Sequence, residues 1–249
     1  MNEQEPWRID KDSVHFKVLK GWLSERFIDW LITAGWQYNL SKSELLIRIA
    51  ETMRRISWEV FKILKEKTGK DAMLPFIIIS FCPTGELSAL KTVLEKNSDS
   101  DILCNKSAVM QSLGLGYLII VLETTQQMLG AISGGPIVLG AAYEGGIAIY
   151  DQIVIDLFER FDTEAKQRFL RTVTEEALHC FAKQTNEFRS SEITQEQSKK
   201  PEGLTPRERW LLDLEIETKC GVKQMVNELL QILRQKEDEF FSLLPLNGK

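Results

Sequence analysis

Residues 172–183 read TVTEEALHCFAK and place Glu175, Glu176 and His179, one of only two histidines, within about one turn of a helix. Positions four apart lie on one helix face, so the Glu175 carboxylate and the His179 imidazole can approach a common ion. Both groups are metal ligands by type. The motif H-E-x-x-H uses this spacing: two imidazoles hold Zn2+, and the Glu after the first polarises an attacking water. Here E-E-x-x-H departs from it at the first position. The residues alone fit equally a charged helix surface that happens to carry one histidine.

The elements that must position these groups are visible in the periodicity. Asp162 is a good N-cap, with Glu164 in the first turn of a helix to about Lys183 that lines one face with Phe169, Leu170, Val173, Ala177 and Phe181. A polar loop, TNEFRSSEITQEQSKKPEGL, follows. TPRE at 205–208 then predicts the start of a last helix carrying Trp210, Leu211, Leu214, Cys220 or Val222, Met225, Leu229 and Leu233. Upstream, residues 13–37 have helical spacing of Phe16, Leu19, Leu23, Phe27, Trp30 and Leu31, with Gly35 as a stop. Ser41 and Glu44 form a capping box for a second helix ending at Gly69. The runs 75–81, 115–123 and 135–143 read as strands, and 84–97 as helix. Residues 145–154 alternate at Ile147 and Ile149 and read as an edge or terminal strand turning into helix. The expected class is therefore α+β, with N-terminal helices followed by a mixed sheet and two further helices. Residues 1–70 form the N-terminal helical region and 71–249 the α+β region, in one compact unit.

The order of a strand, YDQIVIDLFERFDTEAKQRFLRTVTEEALHCF and then LEIETKCG at 214–221 resembles the zincin metallopeptidases of the gluzincin branch over residues 115–235. The resemblance implies a zincin-like helix and C-terminal helix around one metal. It assigns Glu176 as general base, His179 as a metal ligand and Glu215 as the third ligand. Glu175 takes the place of the first histidine ligand. Lys219 takes the place of the aspartate that orients that histidine. Both departures fall on the two partners of one contact, so the resemblance implies a Glu175–Lys219 ion pair in a zincin-like site. Lys219 would then be the cation that three gathered carboxylates require. The expectation is a catalytically lapsed protein acting as a binding or regulatory module, with no cofactor and a protein or peptide partner taken by strand addition.

Two other classes remain open. One is a metal-dependent hydrolase with Glu175, His179 and Glu215 as ligands. Besides Zn2+, such a set suits the harder ions Mn2+ or Fe2+. The other is a structural or oligomerisation component using the helices that bear Trp22, Trp30 and Trp36. A di-iron bundle would need a second Glu-x-x-His, and His15 has Asp12 in that place. His15 itself reads as a packing residue on the first helix.

Composition narrows the rest. A net charge of −5 with no concentrated basic face argues against nucleic acid. Cys82, Cys104, Cys180 and Cys220 make no C-x-x-C pair and read as buried thiols in a reducing cytoplasm. MNEQEPWRID lacks a basic stretch followed by an apolar one, so no signal peptide is expected. The longest apolar stretch, 128–143, is Gly-rich and short of a membrane span. No G-x-G-x-x-G, phosphate loop or G-x-S-x-G occurs. Glu144, before Gly145 and Gly146, is a further acidic group that could line a cleft.

Overall fold

Helix α2 (Lys42–Thr68) begins where the sequence demands it. The Ser41 hydroxyl accepts from the Glu44 amide while the Glu44 carboxylate accepts from the Ser41 amide, satisfying two otherwise orphaned donors. The helix ends at Gly69, whose φ of 70° is the left-handed conformation that a side chain disfavours. Between these caps Leu45, Ile49, Met53, Ile56, Val60 and Leu64 recur every three or four residues, and all are fully buried.

This computed structural model describes residues 5–9, 14–18, 25–80, 117–122, 140–142, 145–188, 212 and 215–246. Around α2 pack α4 (Thr163–Thr185), α5 (Val222–Leu233) and α6 (Glu237–Phe241), with α3 (Asp151–Arg160) packed on α4 and a 3-10 turn at Arg234–Lys236 joining α5 and α6. A shorter α1 (Glu25–Tyr38) precedes α2. One apolar cluster runs through all of them, from Leu45 and Leu64 to Phe169, Phe181, Leu229 and Phe241, and so crosses position 70. Phe61 meets Phe181 edge to face, with 5.4 Å between centroids.

Helices dominate the body of the protein, 73% helix against 5% strand. This overturns the α+β class with its mixed sheet, while the N-terminal helices are present as α1 and α2. The physical reason is where the apolar mass lies: among residues with described side chains, strands give the core only Ile77, Ile147 and Ile149, and helices give nearly all the rest. The short extended segments β1 (Val14–Val18), β2 (Phe76–Ser80), β3 (Tyr117–Leu122), β4 (Gly140–Ala142) and β5 (Gly146–Tyr150) pair beside that body in the order β1-β3-β2-β5-β4. All pairings are parallel except β4 with β5, where Ala141 faces Ala148.

Several local expectations change. The helix expected over 13–37 begins only at Glu25, and His15 lies on β1 opposite Leu118. β-branched Val14 and Val18 flanking Phe16 suit extended backbone, a preference that helical spacing alone conceals. Gly35 does not stop α1. It lets the chain turn back, since a Cβ there would meet the Leu40 carbonyl oxygen at 2.7 Å. The expected edge strand is β5, which instead lies between β2 and β4. The last helix is broken at Gly221, with φ of 78°. Trp30 packs edge to face on Phe158, whereas Trp36 is 84% exposed. Trp22, Cys82, Cys104, Glu144, the helix expected at 84–97, the polar loop beyond 188 and the TPRE cap lie outside the described residues. Among the described residues no helix is long and apolar enough to cross a membrane.

Replacing Phe181 by Ala removes a fully buried ring, and urea unfolding should show a loss of about 3–5 kcal/mol. Ser41→Ala, which removes only the cap, should cost about 1 kcal/mol in the same measurement.

Candidate metal centre

Helix α4 owes its orientation to its own pattern. The Asp162 carboxylate accepts from the Ala165 amide at 2.8 Å and fixes the first turn. Phe169, Leu170, Val173, Thr174, Ala177, Leu178, Cys180 and Phe181 are buried. That leaves one less-buried stripe, Arg171, Glu175 with Glu176, His179 and Lys183, spaced a turn apart. The far end of the helix is tied down by Gln184, which donates to the Met73 carbonyl at 3.0 Å and accepts from the Met73 amide at 2.9 Å. Lys183 donates from Nζ to the carbonyl of Ala142 on β4.

The opposing group comes from the helical turn at 215–219. Ile216 and Cys220, four apart, pack against the core and set which side faces inward. Glu217 lies on that side, while Glu215 and Lys219 are exposed. Gly221 then turns the chain into α5, which packs on α4.

One carboxylate oxygen each from Glu175 and Glu217 and one ring nitrogen of His179 lie within 4.8 Å of one another. The acidic group brought to Glu175 and His179 is Glu217, two residues beyond Glu215, and Glu215 is exposed. The Glu175–Lys219 pair is not formed. Lys219 Nζ lies 2.7 Å from Glu215 on the surface, which holds the Glu215 carboxyl below its ordinary range. The cations that act on Glu175 are Arg171 and Lys223. Sequence reasoning missed Glu217, Arg171, Lys183 and Lys223. The apolar pair Ile216 and Cys220 was the available signal for Glu217, because it fixes the helix face.

The electrostatics follow from enclosure. Burial pushes the Glu175 carboxyl up, with Arg171 and Lys223 opposing. Glu176 is pushed up to about 8, first by burial and then by the Glu175 charge; Glu217 adds to this and Lys183 opposes it. Burial, with Lys183 adding to it, lowers His179 to about 4, so its imidazole is neutral at pH 7 and has a lone pair to give. Its Nε2 is 3.8 Å from Glu217 Oε1, too long for a hydrogen bond, and a neutral ring makes no ion pair there. Cys180 and Cys220 are free thiols, the first fully buried.

No family model matches the chain, and no curated protein or solved structure matches it.

The pKa directions give a stability window. Unfolded Glu titrates near 4.5 and His near 6.5. Folded Glu176 keeps its proton to about 8, so from pH 6.5 to 8 the folded state binds more protons and stability falls as pH rises. His179 acts in the opposite direction, destabilising as pH falls from 6.5 toward 4. Thermal melts of chelator-treated protein should therefore show Tm declining between pH 6.5 and 8, and Glu176→Gln should flatten that limb.

Proposed function

We propose that the protein is a metal-dependent hydrolase whose divalent cation is held by Glu175, His179 and Glu217, with Glu176 as the general base. The observation that carries this reading is the approach of the three ligand atoms to within 4.8 Å. Ligand bonds of about 2.1 Å put two ligand atoms on one ion roughly 3–4 Å apart, so only a small contraction is needed. The chemistry of the set fits: a neutral imidazole and two carboxylates make a hard, anionic site suited to Mn2+ or Fe2+ as well as Zn2+. The bound cation would supply Lewis-acid polarisation of a substrate carbonyl or phosphoryl oxygen.

The chain's own groups do the rest. Glu176 adjoins Glu175 on the less-buried stripe of α4, where its carboxylate can take a proton from an attacking water and return it to the leaving group. Its raised pKa suits both halves of that exchange near neutral pH. These roles follow the zincin resemblance, with Glu217 replacing Glu215. The rival reading, a lapsed centre serving as a binding module, relied on Lys219 as the substitute cation, and Lys219 is paired with Glu215.

Purification without chelator followed by elemental analysis separates the two. About one equivalent of divalent metal is expected in the natural protein and in Glu215→Gln. His179→Ala and Glu217→Gln should each lose most of it, while Glu176→Gln should keep the metal and lose hydrolysis by about 100-fold or more. A protein that takes up none of Mn2+, Fe2+ or Zn2+ is the lapsed module instead.

A further inference from the structure

The stripe that carries the ligands is bounded by cations. Arg171 sits one turn before Glu175 on α4, and Lys183 one turn after His179. Lys223 is the second residue of α5, which packs on α4 directly after the turn that carries Glu217. Lys183 is committed to the Ala142 carbonyl. Arg171 and Lys223 are exposed, and neither makes a hydrogen bond or an ion pair among the described residues.

Without an ion, these two cations offset the charge of Glu175, on which both act. A divalent cation changes that balance. It neutralises the two ligand carboxylates, and Arg171 and Lys223 then have no anion left to serve. The loaded centre becomes a positively charged rim around a Lewis acid, which favours a ligand with a negative group placed beside the reacting bond. Arginine adds a planar fork that matches a carboxylate or phosphate in two hydrogen bonds.

Resting on the metal-centre reading, we infer that the substrate carries an anionic group next to the bond being cleaved, and that Arg171 and Lys223 are the residues that select it. Carboxylate and phosphate share this chemistry.

The test uses metal-chelating hydroxamates that differ only in their tails. Acetohydroxamate has a neutral tail, succinic acid monohydroxamate a carboxylate, and 3-phosphonopropanohydroxamate a phosphonate. Their affinities for the Mn2+-loaded full chain are measured by calorimetry, and the two anionic arms distinguish the sources. An anionic tail should gain about tenfold in affinity, the scale of two partly exposed charge contacts. Arg171→Gln and Lys223→Gln together should reduce the gain to about twofold or less, with acetohydroxamate and Mn2+ still bound; both sites are exposed, so the fold is retained. Equal binding of all three hydroxamates by loaded protein overturns the inference, as does a preference that survives the double variant. In either case the metal centre stands. Failure to take up Mn2+, Fe2+ or Zn2+ overturns the metal centre and this inference with it.

Discussion

The packing of α4 between α2 and α5 is the constraint on which the rest depends. Its buried face is almost continuous, from Phe169 through Phe181, and it leaves the helix one rotational setting. Rotating α4 by a single residue, about 100°, would carry Phe181 toward solvent and a carboxylate into the core. The stripe of Glu175, Glu176 and His179 is therefore placed by the apolar residues opposite it. Gly221 does the corresponding work on the other side, since its left-handed backbone ends the turn carrying Glu217 and starts α5 in a new direction.

This placement creates an electrostatic problem. Glu175 and Glu176 have limited access to water, and the charges of Glu175 and Glu217 raise the cost of ionising Glu176. Protonation of Glu176 relieves the repulsion in part. Arg171, Lys183 and Lys223 relieve more of it from the rim. A divalent cation would relieve it at the centre, at far shorter range than any of these. The neutral state of His179 points the same way, because burial removes the proton that would compete with a metal for the ring nitrogen. Elsewhere the protein handles buried charge by pairing it. Arg54 donates to the carbonyls of Pro6, Trp7 and Pro75, and Glu59 accepts from Lys236 at 2.9 Å. Glu176 has no such partner among the described residues.

The contrast between α2 and the first 25 residues shows what a sequence exposes. Ser41, Glu44 and Gly69 determine their own backbone locally, so both ends of α2 are legible. Asp162 is legible at α4 for the same reason. Residues 14–18 carry apolar groups that suit two periods, and their extended form comes with the pairing of β1 on β3, more than ninety residues away. The class expectation failed similarly. Short β-branched runs announce strands, but they do not announce how little of the core those strands supply.

Glu175, Glu176 and His179 were within reach of the sequence because their relation is intrahelical: a spacing of four on a helix is a position in space. The third group was not, because it belongs to another segment whose rotation is set by where Ile216 and Cys220 bury. The two-residue step from Glu217 to Glu215 is a rotation of about 200° and moves the carboxylate from the interior to the surface. The same rotation sends Lys219 out to Glu215, and the cations that act on Glu175 are Arg171, one turn earlier on its own helix, and Lys223. By itself the sequence determined the caps, the helix periods and the local half of the site. Only the tertiary structure decided which distant acid and which cations complete it, since that depends on side-chain burial summed over helices that meet far apart in the chain.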